Sequence, residues 1–506
     1  MMAWILRLPF LVILTGVGAL AMLLPAAHAA ALGQYHTAQA FLYSGLIFFM
    51  LALTIGIATS GYRPRNRARS QLAALLGAYI LLPVMMAVPF HQALRDTSFL
   101  NAWFEMVSDF TTTGATLYDA PGRLLPSLHL WRALVGWMGG FFVLLSAAAV
   151  LAPLDLGGIE VISGKVPGRA ARGAGQVIRG ADPSERLVRH TLVLFPVYTG
   201  LTLVLWVLLL LSGDTGLTAL SLAMSTLSTS GITPEIPILA GRSGIPGEIF
   251  IFVFMTFALT RRSLPGAVLT NRSRSILSDH EVRLAAFLLV LVPAILFLRH
   301  WWALRGFDEM ISAGAIVGAI WGALFTTASF LTTTGFESSD WQITRAWSGL
   351  GNPGLILMGL AMVGGGIATT AGGLKLLRVY ALTRHGEREL DRLVHPNSVG
   401  GEGEAARRLR QGGAYVSWIF FMLFAITFAI VVALLALLGI EFEQGLVLTV
   451  AAVTTTGPLT SLALQTPIRL LELGPEVKFV LAGAMIVGRM EVLAILTLFS
   501  PGLWRR

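Results

Sequence analysis

The sequence has no cysteine, so disulfides and thiolate metal sites are excluded from any mechanism, and the redox compartment leaves no mark on the chain. Charge is scarce too: Asp, Glu, Lys and Arg make up 12% of the 506 residues. No histidine pair stands at His-Glu-x2-His or His-x3-His spacing, and no Gly-x4-Gly-Lys-Ser/Thr loop occurs, so ATP hydrolysis within the chain is not expected. With no nucleophile and base pair and no metal cluster evident, and no cofactor implied, the reading is that the chain is not an enzyme.

What fills the sequence is apolar. Hydrophobic residues are 55% of the chain and mean hydropathy is +0.75, more than water-soluble cores of this length can hide. The chain belongs in a bilayer, where only helices and closed barrels satisfy their own backbone and about 20 apolar residues cross ~30 Å of hydrocarbon. Runs of helical character lie at 8–26, 41–60, 71–90, 130–152, 191–212, 247–260, 284–302, 351–368, 414–439 and 476–499. The formal net charge of +9 does not mark a nucleic-acid binder, because the basic residues sort by connecting link. Arg63, Arg65, Arg67 and Arg69 share one link, and Lys165, Arg169, Arg172, Arg179, Arg186 and Arg189 the second. Arg261, Arg262, Arg272, Arg274 and Arg283 form the third, and Lys375, Arg378, Arg384, Arg388, Arg392, Arg407, Arg408 and Arg410 the fourth. With Arg7, Arg505 and Arg506 these are most of the 36 basic residues, and the positive-inside rule places those links and both termini in the cytoplasm. Arg7, an apolar run and Ala27-His28-Ala29 before Ala30 imitate a cleavable signal peptide, but the run is long for one and reads as a retained helix.

After residue 70 the chain repeats on a period of roughly 100 to 120 residues, each copy reading as helix, short half-helix, Thr/Ser-Gly turn and second helix. The turns are Thr111-Thr112-Thr113-Gly114, Ser228-Thr229-Ser230-Gly231, Thr332-Thr333-Thr334-Gly335 and Thr454-Thr455-Thr456-Gly457. Segments such as Ala102 to Phe110 and Gly322 to Leu331 before them are too short to cross the membrane and read as re-entrant. One such turn alone is more readily a helix cap. Four at the same place in four units are not, since non-helical backbone at membrane depth survives only where protein or a watery cavity covers it. Glycine permits positive φ, which turns a carbonyl inward; a ring of carbonyls replaces a cation's hydration shell, and half-helix C-termini favour cations. The predicted fold is therefore an all-α polytopic membrane protein: four pseudo-symmetric membrane-pore-membrane repeats around a central ion pore, after two N-terminal helices. Its divisions are 1–70 (the two helices and an Arg-rich link), 71–155, 187–270, 284–380 and 414–506.

These residues resemble the Trk/Ktr/HKT superfamily of potassium transporters, and most closely its bacterial TrkH-type membrane subunit. Nearly the whole chain takes part. The stretches are Phe104-Glu105 to Phe110 with Thr111 to Thr116, Trp137-Met138-Gly139-Gly140, Thr332 to Phe336, Gly364 to Lys375, Arg388-Glu389-Leu390 to His395-Pro396, Gly488-Arg489-Met490-Glu491 and Ser500-Pro501 to Trp504. The resemblance implies a homodimer embedded in lipid in the bacterial inner membrane, K+ as the transported ion, and a separate cytosolic nucleotide-binding regulatory subunit of the TrkA kind. It implies K+ at the carbonyls of Thr112, Thr113, Gly114, Thr229, Ser230, Gly231, Thr333, Thr334, Gly335, Thr455, Thr456 and Gly457. Departures bear on K+ over Na+ preference: the Ser228-bearing second turn, and Thr455 and Thr456 where an Asn pair is common. Asp109 stands where a small neutral residue is usual, to concentrate cations or to bind a structural partner.

In the third unit Gly364, Gly365, Gly366, Thr369, Thr370, Gly372 and Gly373 crowd one stretch, and glycine costs about 1 kcal/mol in a helix interior, so the helix should break beneath the turns. A loop there is expected to gate the pore; close helix packing is the alternative. Arg489 is expected mid-way along the last helix, either as an electrostatic barrier to cation exit or as one half of a structural ion pair. The link 375–412 reads as a solvated loop or, through its Arg384 to Arg392 helix pattern, as a dock for the regulatory subunit. Competing with the gated channel-like transporter is a sodium- or proton-coupled secondary transporter (a symporter) of another monovalent cation or small solute. That alternative calls for inverted repeats and intramembrane carboxylates, and here the repeats are parallel and such carboxylates few.

Overall fold

The computed structural model describes residues 8–61, 67–154, 156, 158, 183–234, 242–263, 279–303, 313–349, 352, 354–395 and 414–499. Arg7, Arg63, Arg65, Lys165, Arg169, Arg172, Arg179, Arg272, Arg274, Pro396, Arg407, Arg408, Arg410 and Ser500 to Arg506 lie outside the described residues.

Every regular element among the described residues is helical. The first apolar run forms α1 (Phe10–Ala21) and α2 (Leu23–Ala31), which run on through Ala27 to Ala30 and pack against α3 (Tyr35–Thr59). The first repeat is α4 (Arg67–Ala93), half-helix α5 (Phe99–Phe110) and α6 (Pro126–Ser146). Ser98 caps α5 by accepting the Asn101 N–H at 3.2 Å, and Pro126 opens α6 where a missing N–H costs nothing. The second repeat is α7 (Pro183–Leu211), half-helix α8 (Gly216–Ser228) and α9 (Gly244–Met255). The third is α10 (His280–Ala303), α11 (Ala313–Leu331), the surface helix α12 (Trp341–Ser348), α13 (Gly354–Val363) and α14 (Leu376–Val394). The fourth is α15 (Ala414–Leu437), half-helix α16 (Phe442–Val453), α17 (Pro475–Met490) and α18 (Val492–Phe499).

Among the described residues seven helices are long and apolar enough to cross a membrane. Their outward faces carry exposed Ile47, Leu203, Val290 and Leu437, which suits contact with lipid rather than water. Prolines inside them (Pro83, Pro89, Pro196 and Pro293) are tolerated because neighbouring helices cover the freed carbonyls.

Two expectations need correction. The third re-entrant segment is not the short Gly322 to Leu331 piece but a 19-residue helix, Ala313–Leu331. Gly318 and Gly322 sit inside it facing the α12 region: a Cβ on Gly322 would overlap Thr344 Oγ1 and the Asp340 carbonyl, and one on Gly318 would crowd the Asp340 carboxylate. The last helix is not continuous through 476–499 either: it breaks at Glu491, φ 62°, so Arg489 sits at the end of α17 rather than mid-helix. The expected break in the third unit is present, with α13 ending at Val363 and Gly364 at φ 73° closing it.

Packing closes the repeats into a ring. Half-helix α8 packs on α6 of the repeat before it, α11 on α9, α16 on α13, and α5 on α17 of the last repeat.

Candidate functional site

Each half-helix delivers its turn at the centre of that ring in the same backbone state. Thr112, Thr229, Thr333 and Thr455 have φ of 56°, 52°, 57° and 55°, a left-handed conformation that β-branched residues rarely adopt. The N–H of the next residue then returns to the carbonyl five positions back: Thr113 to Ser108 at 2.8 Å, Ser230 to Ser225 at 3.0 Å, Thr334 to Ser329 at 2.9 Å and Thr456 to Ala451 at 2.8 Å. The hydroxyls flanking the strained residue meet, 2.8 Å apart for Thr111 and Thr113, 3.0 Å for Ser228 and Ser230, 2.9 Å for Thr332 and Thr334, and 3.1 Å for Thr454 and Thr456. The turns read from sequence include these leading residues, Thr111, Ser228, Thr332 and Thr454, but the expected functional set left them out. The available signal was that a hydroxyl stands both first and third in every copy.

The turns touch in order around the axis. A Cβ added at Gly114 would overlap the Ser230 carbonyl, one at Gly231 the Thr334 carbonyl, one at Gly335 the Pro458 ring, and one at Gly457 the backbone of Ala115. Gly114, Gly231 and Gly335 have φ of 70°, 66° and 83°, as positive-φ carbonyl placement requires. Gly457 corrects the expectation, being absent from the positive-φ residues, since Pro458 drives the residue before it toward extended backbone. Its N–H instead donates to the Thr113 carbonyl at 2.6 Å. One open cavity of about 120 Å³ is lined by all four glycines, and by Asp119 and Glu337 at its mouth. Burial pushes both carboxyls above their ordinary range; for Asp119, Arg469 opposes the shift and Glu472 adds to it, and for Glu337, Gln342 and Arg345 oppose it.

On the other side of the turns lies the Gly364–Gly373 loop. The Gly372 N–H donates to Thr333 Oγ1 at 2.7 Å and the Thr370 hydroxyl to the Leu227 carbonyl at 3.2 Å. A Cβ on Gly372 would overlap the Thr454 carbonyl, so the loop touches the third and fourth turns and, at Leu227, the end of the half-helix that leads into the second. Its far side is held by the Ala258 carbonyl, which accepts the Gly366 N–H at 3.0 Å and the Thr369 hydroxyl at 3.1 Å. Glu281 accepts the Ile367 N–H at 2.9 Å.

Arg489 is buried and donates to the Thr370 carbonyl at 2.5 Å and to the Tyr79 hydroxyl. The ion pairs among the described residues do not include it; the nearby carboxylate Glu491 pairs with Arg378 at 2.7 Å, and Arg378 also stacks 3.6 Å over Phe420. Lys375 donates to the Ala371 carbonyl and so closes the loop on itself. Among the described residues, the seven non-glycine residues with positive φ lie in the four turns, in this loop (Ala368), just after it (Lys375) or at Glu491, and strain of this kind collects where a function constrains the backbone. Asp109 is fully buried with Arg132 Nε 3.7 Å away, and Arg132 is already bound to Glu105 at 2.7 Å. Arg132 is thus a charged neighbour of Asp109 within ion-pair reach.

The fold and the ring define a class: a polytopic helical membrane protein in which four re-entrant turns converge on one axis. Residues 245–505, just over half of the chain, match the TrkH family, described as a cation transport protein, and the chain belongs to that family. It is 28% identical over 420 residues, 81% of this chain and 80% of the relative, to the Trk system potassium uptake protein TrkH of Vibrio parahaemolyticus serotype O3:K6 (strain RIMD 2210633). To the Trk system potassium uptake protein TrkH of Escherichia coli (strain K12) it is 26% identical over 465 residues, 90% and 91% of the two chains. Its fold is that of the crystal structure of the potassium transporter TrkH from Vibrio parahaemolyticus, with TM-score 0.79, 23% identity and full coverage of both chains.

Proposed function

We propose that this chain takes up potassium across the bacterial inner membrane, with the four turns as a selectivity filter and the Gly364–Gly373 loop with Arg489 as its gate. The observation that carries this reading is the ring itself: four turns in one strained backbone state, touching in sequence and lining a single cavity. Carbonyls of Thr112, Thr113, Gly114 and their counterparts replace the ion's water, while half-helix C-termini lend partial negative charge. The loop lies across the exit side of this ring, and the fixed charge of Arg489 opposes a cation there. No catalytic step is needed, because an inside-negative potential is worth about 2.3 kcal/mol per charge per 100 mV, enough for roughly 50-fold accumulation. The relatives' names as potassium uptake proteins support the choice of ion. In the assembly we propose, both termini are cytoplasmic, the chain pairs with a second copy, and the amphipathic α14 with its Arg384–Glu387 pair docks a regulatory subunit.

The experiment is 86Rb+, K+ and 22Na+ uptake in a transport-deficient host and in proteoliposomes, comparing the chain with a deletion of residues 366–370. Potassium-selective uptake that rises in the deletion is expected. Uptake of neither ion removes the transport reading, and unchanged flux in the deletion removes the gate.

A further inference from the structure

Two glutamates that the transport reading does not use grip the polypeptide just beyond two of the turns, by one and the same pattern. Glu105, fully buried on α5, accepts the Thr116 hydroxyl at 2.8 Å on one oxygen and the Leu117 N–H at 2.9 Å on the other. Glu248, buried on α9 of the second repeat, accepts the Ser338 hydroxyl at 2.8 Å on one oxygen and the Ser339 N–H at 2.7 Å on the other. In each case a hydroxyl and the next backbone N–H are taken by the two oxygens of one carboxylate. The grip on the first turn comes from its own half-helix, and that on the third turn from the neighbouring repeat, so internal repetition of sequence did not produce it.

The third repeat explains why its clasp is borrowed. Six residues before the turn, where the first repeat has Glu105, it has Thr326, which reaches the Ser338 N–H at only 3.4 Å, and the second and fourth repeats have Leu222 and Leu448. An apolar leucine at that place has no acceptor to offer. In the ring the first and third turns stand opposite one another, because the order of contact runs first, second, third, fourth and back. The clasped pair is thus one diagonal of the ring. Loop backbone held by charge-assisted hydrogen bonds in a buried site is held stiffly.

We infer that Glu105 and Glu248 are positioning residues for ion selectivity: they fix the spacing of the Gly114 and Gly335 carbonyls across the pore by clasping the chain that follows each. The inference rests on the filter reading above. Glu248 is the cleaner of the two, since its three hydrogen-bond donors, Ser338, Ser339 and Trp321 Nε1 at 2.7 Å, are neutral, whereas Glu105 also neutralises Arg132. Stiffness at this place matters for choosing between ions that differ by a few tenths of an ångström in radius, and hardly at all for conduction as such. The carboxylate-to-amide change keeps the shape of the side chain and removes one acceptor, which leaves the Ser339 N–H or the Ser338 hydroxyl facing an amide nitrogen.

The test is the K+ to Na+ uptake ratio of full-length Glu248→Gln in proteoliposomes, with KM for each ion, membrane abundance, and Ser338→Ala as a variant on the other side of the same clasp. Both are expected to lower the ratio about fivefold, the worth of one lost hydrogen bond, with K+ flux itself little changed. Gly335→Ala, strained at φ 83° in any L residue, is measured alongside. If Gly335→Ala shifts the ratio and folded Glu248→Gln and Ser338→Ala do not, the clasp is refuted while the filter stands. If none of the three moves the ratio, the filter reading fails first. A fall in K+ and Na+ flux together, in step with abundance, makes the glutamate a folding residue and also refutes the inference.

Discussion

Replacing Arg489 by alanine separates the two roles that sequence left open, and the structure sets the size of the effect. The guanidinium contributes a charge-assisted hydrogen bond of 2.5 Å to the Thr370 carbonyl, in the loop that touches the third and fourth turns. Bonds to charged groups are worth about 1.5–3 kcal/mol net, so losing this one shifts the docked-to-undocked ratio of the loop by roughly 10- to 150-fold. On the gate reading proposed above, the same change also removes a fixed positive charge that opposes the cation, which acts in the same direction on flux. Folding is expected to survive, because no carboxylate among the described ion pairs is left behind; Glu491 keeps Arg378. The assay is 86Rb+ flux into proteoliposomes at fixed membrane potential, normalised to monodisperse protein by size-exclusion chromatography. Arg489→Ala should exceed the parent at least tenfold when the loop is mostly docked, and Arg489→Lys should fall between, keeping charge but losing the planar fork. A monodisperse Arg489→Ala with flux at or below the parent's would refute both the loop-holding and the barrier arguments.

Two other outcomes follow from the same geometry. On α17, a Cβ at Gly488 would overlap the Val453 carbonyl whereas one at Gly483 meets open space, so Gly488→Ala should cost about 1–3 kcal/mol, seen as a lower midpoint of thermal unfolding in detergent, while Gly483→Ala should leave the midpoint in place. At the cavity mouth, Asp119 and Glu337 have pKa values raised by burial, so their charge is complete at high pH and is lost as pH falls, sooner than for free carboxylates. The apparent KM for K+ should therefore rise as the pH on that side is lowered through the upper carboxylate range, and Asp119→Asn with Glu337→Gln should flatten the profile.

The turns were legible because their hydroxyl-x-hydroxyl-Gly pattern depends on local backbone, and local backbone is what repeats in sequence. The same holds for the end of α13, where Gly364 supplies the positive φ that stops a helix. Legibility failed where a distant residue decides. The break at Glu491 has no glycine or proline beside it; Arg378, a residue 113 positions away, pairs with Glu491 beside it and lies over Phe420. The full length of α11 was hidden because Gly318 and Gly322 look like helix weakeners, while Gly322 lets the Asp340 backbone approach and Gly318 makes room for the Asp340 carboxylate. Gly457 read like its three counterparts, and only its proline neighbour set it apart. Both glutamate clasps join positions that no spacing rule connects, 90 residues apart for Glu248 and Ser338.

A threonine in the left-handed region costs on the order of 1–3 kcal/mol, so four of them store roughly 4–12 kcal/mol, comparable to the whole stability of a small domain. A single turn could relax by handing the positive φ to its glycine alone. What prevents this is that each strained residue is bracketed on both sides: the hydroxyl pair spans it, the next N–H is tied to the half-helix, and the following glycine is pressed against the adjacent turn. Relaxing one turn would push on its neighbour around the closed ring, and the fourth turn, tied through the Gly457 N–H to the Thr113 carbonyl, seals the circuit. The strain is thus a property of the assembled ring rather than of any repeat, and the repeats should not acquire this backbone when separated.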